Sequence, residues 1–316
     1  MEPSTLRTPL DTEVQTLLEE PTYRTLPPWH SLSVDGAREL EDAVFGGKPT
    51  RSLPMVRDTR IAGPATDIPV RLYYGATDDS LPVLLFFHGG GWTLGTLDSA
   101  DDICRELASR TNSLVVSVDY RLAPEHPFPA ALEDAIAALE WLETAADDIG
   151  GDGTRIGVCG SSAGGNLAGA LARWDANRKS PTILQQALLY PITNHSFETE
   201  SYDEQADGPL LTRDDIRWFW IQYLRHPVDG ANPYASIHRG DHADLPTTTI
   251  VTCGHDPLRD EGLAYAQRLE ESGVPVRSQH HPSLPHGALS LTDSVAMADQ
   301  AMDDLAGAIR ANFGLE

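Results

Sequence analysis

Short apolar runs alternate with longer segments of helical periodicity along most of the chain. The runs are rich in Val, Ile, Leu and Phe and lack a polar residue at every second position, which is typical of strands buried on both faces. Six of them lie at residues 81–88, 113–120, 154–160, 184–191, 247–254 and 275–281. A helical pattern follows most of these runs. The alternation predicts an α/β fold in which helices cover a mostly parallel sheet.

Two further strand candidates precede these runs, at residues 52–62 and 67–76. No helical segment separates them from each other. Consecutive strands without a crossover helix pair most readily in antiparallel fashion. We therefore expect them to form an antiparallel edge of the sheet.

Two segments interrupt the alternation. Residues 1–48 carry helical patterns before any strand, and residues from about 192 to 240 separate two strands by far more than an ordinary connection. We expect both to contribute to a helical cap, with residues 1–48 as its N-terminal part. The main domain is then residues 49–316, with a cap insertion at about 192–240.

The inserted segment contains one strong helix signal. Thr212 and Asp215 have the spacing of a capping box. A helical stripe of apolar residues follows, and it is typical of packing: Ile216, Phe219, Trp220 and Tyr223. Trp218 lies off this stripe and faces either solvent or a pocket.

Composition and the N-terminal sequence indicate the cellular location that we expect for the protein. The chain has 316 residues, of which 41% are hydrophobic, and no apolar run approaches the roughly 18 residues of a membrane span. The N-terminal sequence lacks a basic region followed by an apolar core, so the expected location is the cytoplasm. Cys104, Cys159 and Cys253 have no metal-binding spacing. We expect them to be small buried hydrophobic residues, with no disulfide, metal or cofactor.

Charge excludes two classes of partner. Asp and Glu number 47 against 23 Lys and Arg, for a net charge of −24. Nucleic acids and anionic membranes would be repelled. The acidic residues are spread along the chain, which favours a solvated surface over an acidic tail. Two interpretations stay open: ordinary acidic solubility, and adaptation to high salt.

The sequence GVCGSSAGGN carries a strand directly into a helix. It fits the pattern G-x-S-x-G only with Gly160, Ser162 and Gly164. Small flanking residues let the chain turn sharply, so the Ser162 hydroxyl projects at a helix N-terminus where developing negative charge is favoured. Ser162 is therefore a candidate nucleophile.

A second glycine-rich sequence, FHGGGW, ends the strand at residues 81–88. Serine attack on an acyl carbon creates an oxyanion. Backbone N–H groups that point at this oxyanion stabilise it by about 3 kcal/mol each. Glycines let a loop approach the reacting carbonyl without a Cβ in the way. We expect the N–H groups of Gly89, Gly90 and Ala163 to form this oxyanion hole.

An acid and then a histidine should follow the serine along the chain. Asp256 lies in the loop after the strand at 247–254, and His286 follows the next strand. Asp260 and Glu261 are rivals of Asp256, better explained as charges in the first turn of a helix. His286 would take the serine proton, and Asp256 would orient and stabilise the imidazolium.

Several motifs in this order resemble the hormone-sensitive-lipase-like bacterial esterases of the α/β hydrolases. They are HGGGW, DYRLAPEHPFPAALED, GSSAGGNLA, YPIT, DPLRDEG and HG, within residues 50–316. The resemblance implies an α/β-hydrolase fold with an eight-stranded sheet, a helical cap and a catalytic domain over residues 49–316. It also implies carboxylesterase activity on esters of short to medium acyl chains, with Ser162, Asp256 and His286 as the triad.

Further expectations concern ligands and assembly. His88, Trp92, Ser161 and Trp218 are candidates for substrate contact, although a Ser at 161 and Ala288 both depart from the family's usual residues. The substrate is a small-molecule ester. The resemblance also implies a homodimer through the last strand, residues 275–281. An amidase or peptidase would use the same triad, and a non-catalytic receptor of the same fold would lack the histidine.

Overall fold

The computed structural model of the protein describes residues 6–46, 51–78 and 80–315. Its centre is an eight-stranded sheet. The strands in chain order are β1 (Met55–Ile61), β2 (Ile68–Tyr74), β3 (Leu81–Phe87), β4 (Leu114–Val118), β5 (Gly151–Ser161), β6 (Ile183–Leu189), β7 (Thr247–His255) and β8 (Val276–Pro285).

The strand order is β1-β2-β4-β3-β5-β6-β7-β8. β2 runs antiparallel to both of its neighbours, β1 and β4, and every other pair is parallel. The predicted α/β fold, the eight-stranded sheet and the antiparallel edge are thus confirmed.

Ten α-helices are described around the sheet. They are α1 (Thr12–Glu19), α2 (Pro21–Arg24), α3 (Val34–Phe45), α4 (Asp101–Thr111), α5 (Ala130–Ala145), α6 (Ala163–Ala176), α7 (Glu200–Glu204), α8 (Arg213–Tyr223), α9 (Arg259–Glu271) and α10 (Ala296–Asn312). None of these helices is both long and apolar enough to cross a membrane.

The strands are apolar throughout because each one is covered on both sides. In β3, Val83, Leu85 and Phe87 pack in a cluster with α5, α6 and α9. Leu84 and Phe86 point the other way, into a cluster with α4 and α10. Successive side chains of a strand alternate between its faces, so a continuous apolar run is required where both faces are buried.

A third apolar cluster joins the two segments that interrupt the alternation. Trp29 and Ala37 come from the N-terminal segment, and Trp92 comes from the loop after β3. The predicted stripe of α8 faces them, with all four of its residues buried: Ile216, Phe219, Trp220 and Tyr223. The capping box of Thr212 and Asp215 is also present at the start of α8.

The beginning of the N-terminal segment lies elsewhere. The Thr8 N–H donates to the Pro282 carbonyl at 3.1 Å, and the Asp11 N–H donates to the Ser283 carbonyl at 3.0 Å. Val14 of α1 then packs in the cluster that contains α10. Only the part from Trp29 onward reaches the third cluster, while residues 1–5 and 47–48 of the expected cap segment lie outside the described residues.

β8 is longer than the sequence pattern predicts. Its pairing with β7 continues past residue 281, after a register shift between Cys253 and His255. At this irregularity, a Cβ on Gly254 would lie 2.1 Å from the Pro282 carbonyl oxygen, so only glycine fits. The extension brings the strand up to Pro285, directly before His286.

Candidate active site

The turn between β5 and α6 holds Ser162 in a strained conformation. Ser162 has φ 56° and ψ −116°, a region that residues other than glycine rarely adopt. Its N–H donates to the Leu189 carbonyl at 2.8 Å, and its carbonyl accepts from Asn166 and Ile192 N–H groups. These bonds fix the turn, and the serine side chain stands at the N-terminus of α6.

The glycines of G-x-S-x-G are explained by close backbone approach. A Cβ on Gly160 would lie 2.1 Å from the Gly164 carbonyl oxygen. A Cβ on Gly164 would lie 2.0 Å from the carbonyl oxygen of Phe87, the last residue of β3. The glycines therefore let α6 begin directly against the loop that carries HGGGW.

Three side chains from three strand ends form one hydrogen-bonded chain. The His286 Nε2 lies 3.0 Å from the Ser162 Oγ, and the His286 Nδ1 lies 2.8 Å from the Asp256 Oδ2. An ionised carboxylate only accepts hydrogen bonds, so the proton of the neutral imidazole resides on Nδ1. The lone pair on Nε2 then faces the serine hydroxyl.

Asp256 is fully buried in the loop after β7. Its other carboxylate oxygen accepts the Leu258 N–H at 2.8 Å. The two rival acids make other contacts: Asp260 pairs with Arg259 at 2.7 Å, and Glu261 accepts the Thr193 N–H and the Tyr202 hydroxyl. Among the three acids, the described contacts place only Asp256 against His286.

The loop after β3 lies close to Ser162. A Cβ on Gly89 would lie 3.5 Å from the Ser162 Cβ, and Gly90 has φ 95°. None of the described hydrogen bonds is donated by the backbone N–H of Gly89 or Gly90. Ala163 is the first residue of α6, where the N–H has no partner within the helix. None of these three N–H groups donates a described hydrogen bond.

Gly91 links this loop to the inserted segment. It has φ 58°, and a Cβ there would lie 2.1 Å from the Phe219 ring of α8. The third glycine is therefore needed for contact with α8.

His88 supports the loop. Its Nδ1 donates to the Gly89 carbonyl at 2.8 Å, and its ring stacks on Tyr120 at 4.3 Å between ring centres. The Tyr120 hydroxyl donates to the His88 carbonyl. Burial lowers the pKa of His88 to about 4, so the ring stays neutral at ordinary pH. His88 also borders the cavity described next.

A cavity of about 160 Å³ opens beside Ser162. Ser161 and His88 contribute to its wall, as expected from the sequence. Trp92 and Trp218 are not among the residues that line it. Trp92 instead stacks on Tyr223 at 4.0 Å in the third cluster, and Trp218 packs beside Phe219.

Most of the remaining wall was not predicted. It is largely apolar and includes Trp29, Phe45, Leu94, Ile103, Tyr190, Leu210, Leu211, Ile216, Phe219 and Leu291. Ile216 and Phe219 belong to the stripe of α8 that is typical of packing. They pack in the third cluster and also line the cavity. Ser99, Ser290 and Glu41 of α3 are polar residues of the wall, and Glu41 is the one acidic residue among the described residues that line the cavity. Within the described ranges, no three His, Cys, Asp or Glu side chains are arranged to hold a metal ion.

Comparisons with known proteins identify the family of the chain. Residues 84–290 match the family described as the alpha/beta hydrolase fold. The chain is 40% identical over 271 residues to the carboxylesterase NlhH of Mycobacterium tuberculosis, covering 80% of this chain and 82% of that protein. It is 44% identical over 265 residues to the carboxylic ester hydrolase LipN of the same organism, covering 82% of this chain and 70% of LipN.

Solved structures give the same result. The hyperthermophilic esterase from the archaeon Pyrobaculum calidifontis superimposes with a TM-score of 0.89 at 33% identity, over 96% of this chain and 99% of that chain. The family match covers more than half of the sequence. The chain therefore belongs to the α/β hydrolases, in their hormone-sensitive-lipase-like branch.

Proposed function

We propose that the protein is a serine carboxylesterase that hydrolyses esters of short to medium acyl chains through an acyl-enzyme. The observation that carries this proposal is the hydrogen-bonded chain from Ser162 through His286 to Asp256 at the wall of an apolar cavity. The printed names of the relatives, carboxylesterase and carboxylic ester hydrolase, support it.

Acylation follows from the orientation of the three side chains. His286 accepts the Ser162 proton on Nε2 while the serine oxygen attacks the ester carbonyl. The N–H groups of Gly89, Gly90 and Ala163 bind the oxyanion that forms. His286 then donates its proton to the departing alcohol oxygen, and Asp256 stabilises the imidazolium between the two transfers.

Deacylation repeats these steps with water. His286 takes a proton from a water molecule that attacks the acyl carbon, and returns a proton to the Ser162 oxygen as the acid departs. No metal or cofactor takes part in this proposal.

Cavity size favours short acyl chains within the proposed range. The volume of about 160 Å³ is close to the roughly 150 Å³ of a buried cavity that holds one benzene ring. A chain of a few carbon atoms fits this space, whereas a long one must extend through the opening.

Substitution of each adjacent serine tests the mechanism. We expect Ser162→Ala to abolish release of 4-nitrophenol from a short-chain nitrophenyl ester, with a loss of at least about 10⁴-fold in kcat. Ser161→Ala is the matched control and should keep most of the activity, because its hydroxyl makes no contact with His286 among the described hydrogen bonds.

Near-normal turnover by Ser162→Ala in a folded protein would refute the assignment. The corresponding nitroanilide, assayed with the wild-type enzyme, separates an esterase from an amidase. Faster cleavage of the anilide than of the ester would favour the amidase.

We also propose that the cap is formed by the segment from Trp29 to Phe45 together with the insertion at about 192–240. The third apolar cluster supports this, because both segments contribute side chains to it. Residues Trp29, Phe45 and Phe219 also line the cavity, so the cap and the main domain share the substrate site.

A homodimer through β8 is proposed as the assembly. β8 is the last strand of the sheet, and an open edge presents unpaired backbone groups. The Thr8 and Asp11 contacts occupy this edge at Pro282 and Ser283, so the pairing surface is the earlier part of β8. Sedimentation should give twice the chain mass at micromolar concentration, and a monomer would contradict the proposal.

We further propose that the protein acts in the cytoplasm. Three free, buried cysteines, Cys104, Cys159 and Cys253, suit a reducing compartment. Fractionation of cells that express the native gene tests this, and recovery of activity outside the cytoplasmic fraction would contradict it.

A further inference from the structure

Glu41 is an acid that the proposed mechanism does not use. It lies in α3 on the same helix face as Ala37 and Phe45, at a spacing of four residues. Its exposed fraction is 8%, and it lines the cavity beside Ser162. Burying a carboxyl in a mainly apolar wall is unfavourable unless something offsets it, so the position requires an explanation.

The position of α3 is fixed against the oxyanion loop. The Arg38 guanidinium donates to the Thr93 carbonyl at 2.9 Å and to the Ala123 carbonyl at 3.0 Å. It also forms an ion pair with Glu125 at 2.7 Å. One turn further along the helix, Glu41 is therefore held at a defined place in the cavity.

The carboxyl is close to the loop that carries the proposed oxyanion donors. The Gly95 N–H and the Ser99 hydroxyl face it and favour its ionised form. Gly95 in turn contacts His88, since a Cβ on it would lie 2.2 Å from the His88 Nδ1. Burial nevertheless raises the pKa of Glu41 to about 7, and the charge of Asp42 acts in the same direction.

We propose that Glu41 determines the charge preference of the substrate cavity. The enzyme then favours esters that present a cationic group to this wall and rejects esters that present a carboxylate. This inference rests on the proposed ester hydrolysis at Ser162, and concerns which esters reach it.

The negative charge of the ionised Glu41 explains why cationic esters are preferred over anionic ones. A second anion inside the cavity would be repelled by the ionised Glu41, and the low local dielectric makes this repulsion stronger than in water. A cation would be attracted in the same place. Charge complementarity of this kind mainly sets specificity, because it rejects the wrong partner.

Two pairs of isosteric esters measure this preference on both halves of the substrate. Butyrylcholine and 3,3-dimethylbutyl butyrate differ only by a positive charge in the alcohol. Monoethyl succinate and ethyl 4-methylpentanoate differ by a negative charge in the acyl group. Hydrolysis is followed by titration of the released acid at about pH 8.5, where a carboxyl with a pKa of about 7 is ionised.

The variants are Glu41→Gln, Glu41→Asp and the matched control Glu39→Gln. Glu39 is exposed on the same helix, so its substitution makes the same change in net charge outside the cavity. In the wild type we expect the choline ester to exceed its neutral isostere in kcat/KM, and the succinate ester to fall below its own. Glu41→Gln should move at least one of these two ratios toward unity by about tenfold or more. Glu41→Asp and Glu39→Gln should retain the wild-type direction.

Two failures are distinguishable. If wild type and variants hydrolyse the neutral esters but neither ratio changes in Glu41→Gln, the role of Glu41 is refuted and the esterase proposal stands. If the wild type hydrolyses none of the four esters, the proposed function itself fails.

A binding measurement covers the case in which Glu41→Gln does not fold. Phenylboronic acids that bear a trimethylammonio or a carboxylate substituent contain no carboxylic ester to hydrolyse, and their boron forms a bond with the Ser162 oxygen as His286 takes the hydroxyl proton. The wild type should bind the cationic compound more tightly, and equal or reversed inhibition constants would overturn the proposal.

Discussion

At the scale of single residues, the buried ionisable groups near the site separate into two kinds. Burial lowers the pKa of His88 and raises the pKa of Glu41, and both shifts favour the uncharged form of the side chain. For His88 the shift ends far below neutral pH, so its charge never changes in the working range. For Glu41 the raised pKa is about 7, so the carboxyl changes its charge around neutral pH.

This makes the stability of the fold depend on pH through Glu41. The folded-state pKa of about 7 lies above the ordinary value of 4.5, so between these values the folded protein holds a proton that the unfolded chain has released. The associated stability is complete below about pH 4.5 and disappears as the pH rises through about 7. We expect Glu41→Gln to remove this loss, which amounts to at most roughly 3 kcal/mol.

Urea unfolding of wild type, Glu41→Gln and Glu39→Gln from about pH 5 to about pH 8.5 measures it. The free energy of unfolding of the wild type should fall relative to Glu41→Gln across this range. Parallel pH curves for these two proteins would mean that Glu41 keeps an ordinary pKa.

The sequence predicts the proposed catalytic residues well, but it predicts few of the residues that line the cavity. Ser162, Asp256 and His286 follow strand ends, and the sheet topology brings the carboxyl ends of parallel strands together. Glu41 approaches from a distant helix that no local pattern connects to the loop after β3. Its signal was a polar residue between Ala37 and Phe45 on one helix face, which sequence analysis alone would assign to solvent.

At the scale of elements, α7 of the insertion is joined to the loop that carries Asp256. The Ser201 hydroxyl donates to the Pro257 carbonyl at 2.8 Å, and its N–H donates to Asp260. Arg259 is almost fully buried and pairs with Glu204 at 2.9 Å and with Asp260 at 2.7 Å. An ion-pair network centred on the buried Arg259 therefore joins the insertion to the start of α9, three residues after the proposed catalytic acid Asp256.

Loss of Arg259 should loosen this junction. Arg259→Met leaves two partly buried carboxylates without this partner, and we expect a decrease of about 3 kcal/mol in the free energy of unfolding. Arg213→Met is a matched control, because Arg213 pairs with Asp203, another acid of α7, at the exposed surface. It should change stability by roughly 0–1 kcal/mol.

Denaturant unfolding of the two variants tests the comparison. Equal losses of stability in both would show that burial of Arg259 is irrelevant to its contribution.

Element boundaries were predictable where one pattern governs a segment. The run at 247–254 became β7, which ends one residue later at His255. The end of β8 was missed because Pro282 and Pro285 indicate a loop. Proline is tolerated in an edge strand, where its missing N–H breaks no ladder. The contacts of Thr8 with this edge had no local signal, because they join opposite ends of the sequence.

At the scale of the whole molecule, arginines are distributed among many carboxylates. Arg71 contacts Asp58, Asp98 and Asp101, and Arg110 contacts Glu106, Asp299 and Asp303. Even so, the net charge of −24 leaves a large excess of negative groups. Repulsion among them opposes the compact state.

We therefore expect salt to stabilise the fold. Screening shortens from about 8 Å at 0.15 M to about 3 Å at 1 M ionic strength, so the melting temperature should rise between about 0.1 and about 2 M KCl. The kcat for a neutral ester should change little, because the contacts between Ser162, His286 and Asp256 are short and sheltered.

Sucrose is the control, since an excluded osmolyte strengthens apolar burial without screening charge. A melting temperature that stays flat or falls with KCl would leave the acidity as ordinary solubility and remove the high-salt interpretation.

The backbone conformation of Ser162 places activity and foldability in opposition at one position. A left-handed residue of this kind stores roughly 1–3 kcal/mol that the surrounding bonds must hold in place. Glycine would adopt the same φ and ψ without that strain, but it would remove the proposed nucleophile. Selection for thermal stability alone should therefore favour Ser162→Gly, which lacks the proposed nucleophile. A directed-evolution experiment on this chain must screen for turnover in every round.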